Sequence, residues 1–82
     1  MTGDNRLEAL KLAATLTNME KDILVRLTDG YSDQSLGEDL SVDAHELELA
    51  KKLLFEKIGA TRTADAVRVG LQLARHDLLE LT

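Results

Sequence analysis

Apolar side chains recur every three to four positions along most of the chain. This pattern predicts an all-α protein. We expect an N-terminal arm at residues 1–15 that contains one helix, and a domain at residues 16–82 that contains four more. The five predicted helices cover residues 5–14, 18–28, 33–40, 44–58 and 64–80.

Polar side chains stand where each of the last four predicted helices begins. Such side chains accept hydrogen bonds from the free backbone N–H groups of a first helical turn. Two of them precede a glutamate by three residues, which is the spacing of a reciprocal capping box. The predicted caps are Thr17 with Glu20, Ser32, Asp43 with Glu46, and Thr63.

The helix predicted at residues 44–58 divides its apolar side chains between two sides. At about 100° of rotation per residue, Leu47, Leu54 and Ile58 form one stripe, which we expect to face the core. Leu49 and Leu53 fall on the opposite, outward side. Two outward leucines one turn apart are compatible with a solvated face or with a contact surface for another molecule.

The helices at the two ends of the chain also carry apolar stripes. In the first, Leu7, Leu10 and Ala14 form a stripe that can pack on the domain or on a partner. The last helix has two stripes, of which one can seal the core while the other then needs a partner. Periodicity leaves open which one faces outward. The two stripes are Val67, Leu71, Ala74 and Leu78, and Ala66, Gly70 and Leu73, and we assign self-association as a dimer to the second.

Composition excludes several classes of function. The 82 residues include no cysteine, and the two histidines, His45 and His76, lie too far apart for metal-ligand spacing. No glycine-rich phosphate loop or paired-carboxylate motif occurs, so we expect neither an enzyme nor a cofactor. The apolar runs are too short to cross a bilayer and no targeting pattern is visible, so we expect a cytoplasmic protein without membrane contact.

The middle of the chain is strongly acidic. The formal net charge is −5, and the stretch from residue 29 to residue 48 contains seven acids and no lysine or arginine. Nucleic-acid affinity depends mainly on neutralised phosphates, so this balance opposes DNA binding. The seven acids are Asp29, Asp33, Glu38, Asp39, Asp43, Glu46 and Glu48.

A set of residues spread over the segment 16–79 matches one known type of domain. These residues are Leu16-Thr17, Glu20, Ile23-Leu24, Leu27, Gly30, Ser32, Leu36, Leu40, Leu47, Leu54, Lys57, Ile58-Gly59 and Ala66-Val67. Through them the segment resembles the LuxR/GerE-type helix-turn-helix domain of bacterial transcription regulators. The resemblance implies a four-helix domain, here with an extra N-terminal helix, in which the helix at 44–58 enters the DNA major groove and the last helix dimerises.

Several positions depart from that family at the surface that would meet DNA. Positions 48, 49 and 52 match its base-reading sites and 46, 50 and 51 its phosphate-contact sites, but the family usually has Thr, Lys and His where this chain has Glu46, Glu48 and Ala50. A carboxylate about 5 Å from a phosphate is repelled by roughly 1–3 kcal/mol. The usual glycine of the turn is Ser41.

These observations leave two hypotheses. The first is an interaction module in transcription control that binds a transcription factor, with a LuxR-type activator as the candidate, and acts as an anti-activator or modulator; its partner-binding face would be Asp43, Glu46, Glu48, Leu49, Lys52 and Leu53. The alternative is a stand-alone dimeric DNA-binding regulator that reads DNA with Glu48, Leu49, Lys51 and Lys52. The sequence names neither the partner nor an operator.

Overall fold

The computed structural model describes residues 5–80, and this part of the chain is entirely helical apart from turns. The all-α prediction is therefore confirmed. None of the helices has the length and apolar content needed to cross a bilayer, within the residues described. The helices are α1 (Asn5–Thr15), α2 (Asn18–Thr28), α3 (Asp33–Leu40), α4 (Ala44–Ile58) and α5 (Thr63–Arg75).

The predicted caps of α2, α3 and α4 are confirmed by their hydrogen bonds. The Thr17 hydroxyl accepts from the Glu20 N–H and the Glu20 carboxylate accepts from the Thr17 N–H, and Asp43 and Glu46 repeat this reciprocal pair. The Ser32 hydroxyl accepts from the Ser35 N–H. In these bonds, side-chain oxygen atoms accept from backbone N–H groups that have no backbone acceptor at the start of a helix.

Both ends of α5 differ from the prediction. Arg62, and not Thr63, is the residue that precedes the helix. The capping acceptor lies one turn inside the helix, where the Asp65 carboxylate accepts from the Thr61 N–H and hydroxyl and from the Arg62 N–H. The helix stops at residue 75 because Asp77 adopts a left-handed conformation. The chain then reverses, and Leu79 is buried in the core.

The core forms around α2, which packs against α4 and α5. Ile23 and Leu24 of α2 are completely buried, and Leu54 of α4 is buried beside them in the same cluster. Of the predicted inward stripe of α4, Leu47 and Leu54 are buried and Ile58 is half-buried. The remaining buried apolar residues are Ala9, Ala13, Leu16, Leu27, Leu36, Leu47, Ala66, Leu73 and Leu79.

Helix α1 belongs to this packed unit. It contacts α4 and α5, and it does so through Ala9 and Ala13, which are buried. The predicted stripe of Leu7, Leu10 and Ala14 faces the other way and is exposed. The division of the chain between residues 15 and 16 stays a prediction, and residues 1–4 lie outside the described part.

The assignment of the α5 stripes is corrected. Ala66, Gly70 and Leu73, which we expected to mediate self-association, are buried against the rest of the molecule. A Cβ atom at Gly70 would come within 2.0 Å of the Thr28 hydroxyl oxygen, so the missing side chain lets α5 approach α2 closely. A dimer seam cannot pass through these three residues while the core is intact. Of the other stripe, Leu71 is exposed and Val67, Ala74 and Leu78 are half-buried.

Candidate functional site

The candidate site is the surface formed by α3, α4 and the turn between them. The turn is short because Ser41 adopts a left-handed conformation, with φ of 58°, and the Val42 N–H donates to the Gly37 carbonyl over 3.0 Å. Leu36 and Leu47, one from each helix, are buried beneath the turn. This packing fixes the start of α4 beside α3.

All six residues of the predicted partner-binding face are exposed, and those on α4 cover a broad arc of the helix. Their role in binding stays a prediction. Helical rotation places Glu48 and Leu53 about 140° apart around α4. Leu49 and Leu53 are 52% and 56% exposed, and with Lys52 they form a surface that we call the α4 ridge. Glu48 instead lines a groove against α3.

Asp43 and Glu46 have a structural role at the start of α4. The Glu46 N–H donates to Asp43 Oδ1 over 2.7 Å, and the Asp43 N–H donates to Glu46 Oε1 over 3.2 Å. Each carboxylate retains free acceptor positions because both side chains are exposed. They therefore add negative charge to the surface while they cap the helix.

The α3–α4 groove has a volume of about 790 Å³. Gly37, Val42, Ala44 and Leu47 supply the apolar part of its lining, which we call the floor, and carboxylates of both helices also line it. Pockets that bind ligands or peptide side chains commonly have volumes of about 300–1,000 Å³. The carboxylates are Asp33 and Glu38 on α3 and Glu48 on α4.

Lys51, one of the candidate DNA-contact residues, is engaged within the molecule. Its Nζ atom donates to Asp33 Oδ1 over 2.7 Å and lies 5.7 Å from the centre of the Phe55 ring. The side chain is only 18% exposed. Lys52 is exposed and forms no ion pair within residues 5–80. Of the two lysines that would face DNA, one is thus neutralised by an acid from α3.

Two further ion pairs hold the helices that carry this surface. The Arg26 guanidinium donates to Asp39, and this hydrogen bond, opposed by partial desolvation, raises the pKa of Arg26. The pair joins α2 to α3. Lys57 at the end of α4 donates to Glu20 Oε1 over 2.8 Å and to the Thr15 carbonyl over 3.0 Å. That pair joins α4 to α2 and to the end of α1.

Sequence reasoning did not predict the groove, the Lys51–Asp33 pair or the Lys57–Glu20 pair. The partners are separated by 18 and 37 positions, so helical periodicity within one element cannot connect them. A partial signal was present for the groove, because Asp33, Glu38 and Glu48 belong to the acidic stretch. Gly37, which lies between Asp33 and Glu38, is a second signal, because a residue without a side chain allows two backbones to approach closely.

The described residues offer no arrangement for metal chemistry. Within residues 5–80, no group of three or more histidine, aspartate or glutamate side chains is placed to hold a metal ion. His45 is exposed on α4, and His76 contributes its carbonyl oxygen, which accepts from Arg6 over 3.1 Å.

No protein-family profile matches the chain, and no curated protein or solved structure is significantly similar to it.

Proposed function

We propose that this protein acts in transcription control by binding a transcription factor, with a LuxR-type activator as the candidate partner. In the simplest case the protein is an anti-activator, which binds the activator and thereby prevents it from acting. The proposal combines the resemblance of residues 16–79 to LuxR-type domains with the surface of α4. It assigns the protein no catalytic activity and no cofactor, and it places the protein in the cytoplasm.

The observation that carries the proposal is the α4 ridge. Leu49 and Leu53 lie one turn apart and each leaves about half of its surface in contact with solvent. Covering the exposed part of each leucine would contribute about 1 kcal/mol to binding. The caps Asp43 and Glu46 place two carboxylates at one end of the ridge, as in interfaces with an apolar centre and a charged rim.

The same surface opposes the alternative, a stand-alone DNA-binding regulator. Proteins hold a recognition helix in the major groove with basic residues that contact the phosphates. Here Asp33 neutralises Lys51, and Glu48 and Glu56 lie one helical turn before and after Lys52. A duplex approaching α4 would therefore meet a surface with an excess of negative charge.

The test is a calorimetric titration of the protein with purified LuxR-type activators from its source organism. We expect one of them to bind, and the double variant Leu49→Ser/Leu53→Ser to bind it at least about tenfold more weakly, which corresponds to 1.4 kcal/mol. Leu71→Ser is the matched control, since Leu71 is an equally exposed leucine on α5. It should leave the affinity unchanged.

A reporter transcribed under the control of that activator supplies the functional readout. We expect expression of the wild-type protein to lower the reporter signal and the double leucine variant to restore it. If no activator binds while a specific duplex does, the alternative function is correct and the proposal is wrong. Equal loss of binding in Leu71→Ser would contradict the assignment to the ridge.

A further inference from the structure

We infer that the α3–α4 groove receives a short basic segment of a partner protein, with one apolar side chain on the groove floor and flanking lysines or arginines on its carboxylates. The groove lies on a different side of α4 from the ridge. The inference therefore does not require that the partner be a transcription factor, and it stands or falls separately from the proposed function.

The floor of the groove fits a small apolar side chain. Val42, Ala44 and Leu47 supply aliphatic surface, and Gly37 contributes only backbone. A Cβ atom at Gly37 would lie 3.1 Å from the Val42 carbonyl oxygen, so even an alanine would crowd this end of the groove. The absence of a side chain there lets the backbone of α3 lie close to the backbone of the turn.

The walls supply charge that no residue of the described chain balances. Glu38 on α3 and Glu48 on α4 stand on opposite sides of the groove and form no ion pair within residues 5–80. Glu38 accepts only a long hydrogen bond, 3.4 Å, from the Gln34 amide. With Asp33 and Lys51, the groove holds three carboxylates and one ammonium, which is a net charge of −2.

Lys51 shows that these walls accept a basic side chain. It extends from α4 to Asp33 on α3 while its ammonium stays near the Phe55 ring. A partner's lysine or arginine beside Glu38 and Glu48 would make the same kind of contact. Arginine would add a bidentate geometry that matches a carboxylate.

Charge complementarity selects the occupant. A second copy of this chain is a poor fit, because each copy carries a net charge of −5 and two such copies repel each other. A nucleic acid is repelled by the carboxylates. A basic protein segment is attracted to both walls and places its apolar side chain on a surface that water would otherwise cover.

The experiment uses fluorescein-labelled peptides and the full-length protein. The probe KKGLGKK carries both basic flanks and an apolar centre, EEGLGEE reverses the charges, and KKGGGKK lacks the leucine. We expect measurable anisotropy changes at low salt for the first probe only. In spectra of the ¹⁵N-labelled protein, this probe should shift the amide signals of Gly37, Val42 and Leu47.

Variants of the groove separate specific docking from general attraction of cations. Glu38→Gln/Glu48→Gln should weaken the binding of KKGLGKK about tenfold, whereas Glu56→Gln, the same change on a part of α4 outside the groove, should have little effect. Ala44→Phe fills the floor at an exposed position and should abolish binding while the circular dichroism spectrum stays unchanged.

Any one of the following results would overturn the inference: no binding of KKGLGKK, equal binding of KKGGGKK or of spermine, equal weakening by Glu56→Gln, or peptide-induced shifts confined to the α4 ridge. Retained binding in Ala44→Phe would also overturn it, because the floor would then play no part.

Discussion

Glu20 is a carboxylate that the fold removes almost completely from water. It is 5% exposed, and its oxygen atom Oε1 accepts hydrogen bonds from Lys57 and from the Thr17 N–H. Burial alone would raise the pKa of Glu20, but Lys57 and Thr17 outweigh burial and the pKa lies below its ordinary value of 4.5. An unpaired carboxylate at this place would cost free energy, so α4 and α2 are coupled through one ion pair.

The lowered pKa of Glu20 predicts acid sensitivity. Its contribution to the free energy of unfolding is complete above about pH 4.5 and is lost as the pH falls through the lower pKa of the folded state. We expect Glu20→Gln to destabilise the protein by about 1–3 kcal/mol at pH 7. The difference from wild type, measured by urea unfolding, should shrink below pH 4.

A matched control exists for this prediction. Glu46 occupies the same third position of a capping box but is exposed, so Glu46→Gln should cost well under 1 kcal/mol. Equal destabilisation by the two variants would show that capping, and not the buried pair with Lys57, stabilises α2.

Ser41 adopts a conformation that glycine adopts more readily. Its φ of 58° and ψ of 43° lie in the left-handed region, which costs a residue with a Cβ atom about 1–2 kcal/mol. We expect Ser41→Gly to raise the free energy of unfolding by roughly 0.5–1 kcal/mol after the greater entropy of the unfolded glycine is included. Ser41→Ala removes the hydroxyl but keeps the Cβ atom and its strain, so it should not raise the stability measured by thermal unfolding.

At the scale of helices, α2 and α5 approach each other closely at Gly70. A methyl group there would meet the Thr28 hydroxyl oxygen at 2.0 Å, and that hydroxyl also donates to the Leu24 carbonyl over 2.8 Å. The Thr28 side chain therefore cannot turn aside without losing its hydrogen bond. Gly70 determines how near α5 lies to the centre of the core.

We expect Gly70→Ala to destabilise the protein by about 1–3 kcal/mol, although alanine is the better helix former by about 1 kcal/mol. Thr28→Ala removes the oxygen atom of the clash, so the double variant should be more stable than the sum of the two single effects implies. Urea unfolding of the four proteins measures this coupling. Simple additivity would mean that α5 moves away from α2 without contacting Thr28.

This close approach explains why periodicity did not identify the buried side of α5. Both stripes repeat at helical spacing, so periodicity alone does not tell which stripe packs in the core and which faces outward. Packing selected the side whose glycine permits contact with α2. In α1 the buried side is likewise the one with small residues, Ala9 and Ala13, and the leucines Leu7 and Leu10 are left outside.

The outward leucines of α1 should therefore contribute little to stability. We expect Leu7→Ser/Leu10→Ser to change the free energy of unfolding by less than about 1 kcal/mol. Ala13→Leu on the buried side should destabilise by about 1–3 kcal/mol through overpacking. A large loss in the double serine variant would show that α1 uses its other side.

At the scale of the whole molecule, sequence reasoning predicted the helices and the outward position of Leu49 and Leu53 because both follow from periodicity and capping. It predicted the sign of the charge near α4 from composition. It did not predict how that charge is distributed, since the pairing of Lys51 with Asp33 depends on how α3 and α4 meet. The consequence is two surfaces on α4, an apolar ridge and an acidic groove.

From the distribution of charge in the folded molecule we expect its ligands to be proteins and not DNA. Three of the ten basic residues, Arg26, Lys51 and Lys57, pair with acids from other helices and are not free to contact phosphates. Surface potentials of this sign attract basic protein segments and repel polyanions. The ridge and the groove are thus both suited to protein contact.

The most direct measurement is a titration of the ¹⁵N-labelled protein, first with duplex DNA at low salt and then with LuxR-type activators. We expect that DNA leaves the amide signals of residues 44–58 unmoved, whereas an activator shifts those of the α4 ridge around Leu49 and Leu53. DNA-induced shifts along α4 that vanish as salt is raised, without any response to an activator, would contradict this expectation.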